Sequence, residues 1–419
     1  TKHDLRYLHP LIVVPTQVLQ AQWNDRLRTH LPGLKIGLIG QGHRDRYADH
    51  DICIGIINST VRQLPELFAH LGRAAAPFRT FLIADECHHY INAPVFNGLL
   101  RYDFDYTLGL SATIRPAVFD HHVKGLGEVV FNYEFGDALK DGLIPPFDIV
   151  NCACSFTARE SESYFTLHQK VTEQVSLVTD LYHAELRNSP PDFFWIRLRQ
   201  LMIRADGSED PIIKRLFVLL FKRAALSYRA TEKMAMAAAL TLQLVASGKK
   251  VMVFLERIDD ADHVALDAAD AAGADLQKRL EKTGLVRCGV YHSQLTLQER
   301  QRVLDEFRSK GPKALVSCRS LDEGLDIGDV DCAILAASTQ SPRQRIQRIG
   351  RVLRRCEGKT RSLIITLYVA GSGDERVTDN DADLFGRCIS VRQTRSKDIR
   401  RVVRDLVQPR CASTGQSPT

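Results

Sequence analysis

The stretch Phe81-Leu-Ile-Ala-Asp85-Glu86-Cys87-His88-His89 is an apolar run that ends abruptly in two carboxylates and two imidazoles. Four consecutive apolar residues without alternation suit a strand buried on both faces, as in a parallel sheet covered by helices. In open sheets of that kind ligands bind at the carboxyl ends of the strands, so Asp85 and Glu86 are expected to project into a crevice. Asp85 can hold a magnesium ion through the ion's water shell, and Glu86 can orient and deprotonate an attacking water. An acidic strand end followed by a helix cap is the competing use of such a pair.

Outward from this stretch the same rhythm recurs. Toward the N-terminus lie Leu11 to Pro15, Lys35 to Gly40 and Asp51 to Ile57, and after it Tyr106 to Thr113, all short runs rich in Val, Ile and Leu separated by segments of helical period. The Pro pair in GLIPPF (Gly142 to Phe147) interrupts the pattern, and Phe156 to Ser247 is mostly helical, with loops predicted at Ser189 to Phe194 and Ala205 to Asp210. Strand-like runs resume at Val251 to Leu255, Val286 to Ser293, Ala314 to Cys318, Cys332 to Ser338 and Ser362 to Val369. The expectation is α/β: a first parallel-sheet domain over 1–148, a helical insert or linker over 149–247, a second such domain over 248–372, and a tail over 373–419 with a helix from Asp383 to Leu406 and a disordered end.

Composition bounds the function classes. The 419 residues are 44% hydrophobic and 25% charged, enough for two or three ordinary cores. No run of eighteen apolar residues is present and the N-terminus lacks a secretory pattern, so the cytoplasm is the expected compartment and no membrane the expected partner. The ten cysteines show no repeated metal-ligand spacing and are read as reduced thiols. The net charge of +6 decides little by itself. Its distribution says more, because Arg343, Arg345, Arg348, Arg351, Arg354 and Arg355 crowd one segment and Arg395, Lys397, Arg400, Arg401 and Arg404 another.

Ser111-Ala112-Thr113 stands directly after the run YTLGL, with Ser111 twenty-five residues beyond Glu86, and two hydroxyls there can bond the acidic cluster and report its state. Together with Asp85-Glu86-Cys87-His88, this pair resembles motifs II and III of superfamily 2 helicases in the Asp-Glu-x-His form. The second half agrees: Gln347-Arg-Ile-Gly-Arg351-Val-Leu-Arg354 resembles motif VI of that superfamily. The resemblance runs over residues 11 to 370 and is nearest the XPB-type branch, through ADECHH, LGLSAT, GDALKDGLIPPF, FTARESESY, EGLDIGDVDCAI and SPRQRIQRIGRVLR. The motor subunits of type I and type III restriction enzymes share much of it.

What the resemblance implies is a tandem pair of RecA-like domains that hydrolyse ATP with Mg2+ and move along nucleic acid, DNA rather than RNA, in repair or in defence against foreign DNA. Asp85, Glu86 and His88 fall on the acidic motif, and Ser111 and Thr113 on the coupling motif. Arg351 and Arg354 fall on the γ-phosphate contacts, with Gln347 in support; a guanidinium is always charged and meets phosphate oxygens as a fork. In the motif V-like run Asp326 implies an approach to the ATP ribose, Gly324 permits the backbone to come close to the nucleotide, and Ser317 or Arg319 implies a contact to the nucleic-acid backbone. Phe254 and Glu256, and Tyr291 to Ser293 with Arg300 and Phe307, fit motif IV and the segment after it. Pro15 and Thr16, followed by Gln22 and Trp23, resemble motif Ia, and Asn58 with Ser59 is the candidate for motif Ib; both would touch phosphates without reading bases. Helix capping is the competing use of Thr16 and Asn58.

One departure stands out. Motors of this kind hold the β- and γ-phosphates with a GxxxxGK[ST] loop, and none occurs in the 419 residues. The chain begins with Thr1 rather than Met, so the expectation is that the loop is encoded upstream and that this chain alone is inactive. The alternatives are a degenerate relative acting as a non-hydrolysing nucleic-acid clamp, and an RNA helicase.

Overall fold

The computed structural model describes residues 8–71, 79–87, 98–99, 101–112, 126–186, 194–203, 207–255, 276–278, 280–282, 288–292, 294–309, 313–318, 329–337, 342–356, 358–378 and 390–407. The chain divides into two compact units, the first essentially residues 1–133 and the second most of the remainder.

The first unit is a six-stranded sheet made of β1 (Leu8–Val14), β2 (Ile36–Gly40), β3 (His43–Arg44), β4 (Ile52–Ile56), β5 (Arg79–Asp85) and β6 (Tyr106–Leu110). Their order is β3-β2-β4-β1-β5-β6, with every pairing parallel except the β2–β3 hairpin. Helices α1 (Gln17–His30) and α2 (Ile57–Leu71) follow β1 and β4. The continuous apolar runs have the expected cause. Leu11 and Val13 of β1 enter one core cluster, with Leu64 and Leu82, while Ile12 and Val14 enter another, with Leu19 and Ile54. Successive side chains point to opposite faces, so a strand covered on both needs apolar residues at every position. Gly55 is demanded by α2, since a Cβ there would lie 2.0 Å from the Thr60 hydroxyl oxygen.

The second unit is a seven-stranded, all-parallel sheet of β7 (Phe147–Cys154), β8 (Val251–Leu255), β9 (Cys288–Tyr291), β10 (Ala314–Cys318), β11 (Cys332–Leu335), β12 (Ser362–Val369) and β13 (Ser390–Arg395), in the order β13-β7-β12-β11-β8-β10-β9. Its described helices include α3 (Ala158–Leu181), α4 (Phe194–Met202), α5 (Pro211–Tyr228), α6 (Thr231–Ala246), α7 (Leu297–Arg308), α8 (Pro342–Val352) and α9 (Ser396–Val407).

The division expected at 148/149 falls inside β7, which belongs wholly to the second sheet. Arg361 fixes it there, its guanidinium gripping the buried Asp148 carboxylate at 2.5 and 2.6 Å beside the start of β12. Helix α6, expected within the insert, packs Ala237, Leu240 and Leu244 into the same core as Val150, Val253 and Ile365. The helices with a core of their own are α3, α4 and α5, joined through Val171, Val178, Leu198, Ile213 and Leu216. The tail also differs from a single helix over Asp383 to Leu406, because Ser390–Arg395 is an edge strand on β7 and α9 begins only at Ser396. Among the described residues no helix is long and apolar enough to cross a membrane. Cys53, Cys152, Cys154, Cys288 and Cys332 are buried free thiols, and burial pushes those of Cys53, Cys288 and Cys332 up to about 12, which keeps them protonated at neutral pH.

Lys233 in the first turn of α6 meets Asp374, beyond β12, at 2.5 Å, with both side chains essentially removed from solvent. Asp374 also accepts the Val369 amide at 3.1 Å. Desolvation raises its carboxyl pKa, against the pull of the lysine charge and its hydrogen bond. Removing one member of such a pair strands a buried charge, whereas replacing both by apolar groups does not. Lys233→Met is therefore expected to destabilise the second unit by about 3 kcal/mol, and Lys233→Met with Asp374→Leu to recover part of the loss, since the Val369 amide then lacks its acceptor, as read by urea unfolding. A double variant no more stable than the single one would contradict this account.

Candidate functional site

The first sheet brings the predicted residues of its unit to one edge. Pro15 and Thr16 leave β1, Asn58 and Ser59 lie in the first turn of α2 just past β4, Asp85 ends β5, and Ser111 follows β6. The chain leaves β1 toward β2 on one side and leaves β5 toward β6 on the other, so β1 and β5 flank the point where the winding reverses, the usual position of a binding crevice.

At that point the Asp85 carboxylate is held from two directions. Its Oδ2 accepts the indole N–H of Trp23 at 2.8 Å, and its Oδ1 accepts the backbone N–H of Glu86 at 3.0 Å. Glu86 has φ of 50°, in the left-handed region that non-glycine residues rarely enter. Strain of this kind persists only where the surroundings impose it, and it concentrates at functional positions. Beneath it, Cys87 is buried against β6, and Gly109 makes room: a Cβ there would sit 3.2 Å from the Cys87 sulfur and 3.0 Å from Leu126. Asp85 pairs with Leu110 across the sheet, so Ser111 leaves β6 level with Glu86. His88 and Thr113 lie outside the described residues.

Thr16 uses its hydroxyl to cap α1, accepting the Leu19 amide at 3.4 Å. Asn58 is exposed and Ser59 half-buried at the start of α2.

In the second unit the arginines of the α8 segment differ in placement. Arg345 is buried and bonds Thr366 on β12 at 2.9 Å and Asn151 on β7 at 3.4 Å. Arg348 is fully buried, donates to the Ala337 carbonyl at 2.7 Å and stands 5.5 Å over the Phe254 ring. These two anchor the helix to the sheet, a role the sequence reading missed; the available signal was the polar Asn151 and Thr366 inside otherwise apolar strands. Arg351, one turn further, is 8% exposed. Its charge reaches Tyr291 at the end of β9, where burial raises the phenol while the Arg300 charge and hydrogen bond, and then Arg351, pull it down. Arg354 is half-buried beyond the helix. The Lys359 ammonium fixes that exit by donating to the carbonyls of Val330 at 2.5 Å, Arg354 at 3.2 Å and Val352. Gln347 is half-buried, and its amide nitrogen has no hydrogen-bond partner among the described residues.

Ser317 is placed differently from the expectation. It lies inside β10 between Phe254 and Tyr291 and is fully buried, so its hydroxyl is not available to a phosphate backbone. A strand residue one position before the end points into the sheet's cover, which the motif alone does not reveal. Arg319, Gly324 and Asp326 lie outside the described residues.

No group of three or more His, Cys, Asp and Glu gathers among the described residues. A magnesium ion held mostly by water and substrate phosphates needs only one or two protein carboxylates, and Asp85 at the crevice fits that demand.

Two family models match this chain. Residues 2–116 match "Type III restriction enzyme, res subunit", and residues 232–356 match "Helicase conserved C-terminal domain". The DNA 3'-5' translocase XPB2 of Sulfurisphaera tokodaii is 24% identical over 370 residues, covering 88% of this chain and 74% of the relative. The ATP-dependent DNA helicase MPH1 of Kluyveromyces lactis is 32% identical over 143 residues, but only 14% of its length is covered. Among solved structures, Saccharomyces cerevisiae Dbp5 bound to RNA and ADP BeF3 superposes with a TM-score of 0.53 at 14% identity, covering 96% of this chain and 81% of that one, a likeness of fold.

Proposed function

This chain is a superfamily 2 helicase of the XPB and restriction-motor type, and from that premise we propose that it is the motor of an ATP-driven DNA helicase or translocase. The observation that carries the proposal is the Asp85–Glu86 pair at the switch point of the first sheet, with Asp85 oriented by two hydrogen bonds and Glu86 held in a strained backbone.

Asp85 would hold a hydrated magnesium ion, whose charge would offset that of the phosphates. Glu86 takes the proton from the attacking water as the γ-phosphate departs. Arg351 and Arg354 stabilise the charge that develops on the transferred phosphoryl group, with Gln347 in support. Thr16, Asn58 and Ser59 offer small donors to the phosphate backbone, with Pro15 shaping the chain that presents Thr16, and such contacts confer affinity without sequence preference.

The test is ATP hydrolysis by the full-length gene product, alone and with single-stranded DNA, duplex DNA and RNA. The expected result is stimulation by DNA greater than by RNA, fading steeply as salt is raised because phosphate contacts release counterions. Greater stimulation by RNA would assign an RNA motor instead. A second reading, a non-hydrolysing DNA clamp, is favoured by the lack of a GxxxxGK[ST] run in the sequence. Salt-sensitive DNA binding without any hydrolysis would establish it.

A further inference from the structure

Asp85 has a partner that the acidic motif does not contain. Trp23 stands in α1, 62 residues earlier in the chain, and its indole N–H donates to Asp85 Oδ2 at 2.8 Å. The ring is seated against the cluster of Ile12, Val14, Leu19 and Ile54, which leaves its position little freedom. An indole has one donor and no acceptor, so in this contact the Asp85 oxygen is the acceptor. The second oxygen accepts the Glu86 amide at 3.0 Å, so the two bonds together set the plane of the carboxylate. Carboxylates that hold metal ions are commonly fixed this way by outer partners, and losing such a partner costs about 10- to 100-fold in metal affinity or activity.

We propose that Trp23 is a positioning residue for the metal-holding carboxylate Asp85, so that α1 sets the geometry in which the metal–nucleotide complex is held. The proposal rests on the nucleotide-site reading above. Trp23 touches the carboxylate, so its effect belongs to the metal-dependent part of nucleotide binding.

The experiment has two arms on the full-length product. The sequence contains two tryptophans, so Trp195→Phe, with any further tryptophan of the full-length product likewise replaced by Phe, leaves Trp23 as the sole tryptophan emitter. In that background Asp85→Asn, which swaps a charged acceptor for a neutral one, is expected to shift the Trp23 emission without any nucleotide; an unchanged spectrum overturns the contact. The second arm measures calorimetric binding of a non-hydrolysable ATP analogue with Mn2+ and with EDTA. Trp23→Phe, and incorporation of the benzothiophene isostere that removes only the N–H, are expected to weaken Mn2+-dependent binding about 10- to 100-fold and to leave EDTA binding unchanged. Equal metal dependence in the wild type and the isostere overturns the positioning role alone. A wild type with no metal-dependent nucleotide binding overturns the nucleotide-site reading, and this proposal with it.

Discussion

Arg351→Ala is expected to lower DNA-stimulated ATP hydrolysis by the full-length product about 10³- to 10⁵-fold in kcat, the contribution of an arginine that meets a transferring phosphoryl group. The reason to single out Arg351 within a crowded basic segment lies in what its neighbours do. Arg345 and Arg348 are committed to Thr366, Asn151 and the Ala337 carbonyl, so truncating either strands buried polar partners and weakens the fold. Arg351 lies one turn further along the helix that those two anchor. Arg351→Lys keeps the charge but loses the planar fork, so it is expected to recover little of the rate. Thermal unfolding separates the roles: Arg348→Ala lowers the midpoint, whereas Arg351→Lys, which retains most of the buried side chain, leaves it near the wild type. Arg351→Ala hydrolysing within tenfold of the wild type would remove the arginine from the chemistry.

The strands were legible wherever helices cover both faces, because burial on both sides leaves nothing but apolar residues, as in Leu11 to Val14 or Val251 to Leu255. The acidic pair was legible for a related reason, since carboxylates directly after such a run must lie at the sheet's edge. Strand β7 was not. It follows a Pro pair and contains Asp148 and Asn151, polar residues that look wrong for a central strand until their partners Arg361 and Arg345 arrive 213 and 194 residues later. Strand β13, SVRQTR, has a single apolar residue because it sits at an edge and relies on β7 for pairing. Ser317 illustrates the opposite failure, in which a motif position suggested contact and the strand's register buried it. The Trp23–Asp85 bond is of the same long-range kind: local spacing placed both residues in motifs but could not place one on the other.

Glu86→Gln is expected to lower kcat about 10²- to 10⁴-fold, the usual contribution of a positioned general base, while DNA binding and the affinity for the metal–nucleotide complex stay near the wild type. The glutamine side chain has the same length and can still donate or accept a hydrogen bond, so the change removes the proton acceptor and little else. The backbone sharpens the test. At φ of 50° the residue is already in a conformation that side chains rarely adopt, and glutamine meets the same strain as glutamate, so a folding defect is not expected to imitate a catalytic one. Asp85→Asn is expected to act differently, on metal-dependent nucleotide binding, because it removes the charge of the carboxylate that Trp23 and the Glu86 amide orient. A wild type that hydrolyses ATP and a Glu86→Gln variant that hydrolyses it equally fast would mean that another group takes the proton. Loss of binding in step with loss of rate would mean that Glu86 holds the nucleotide or the fold and does not act on the water.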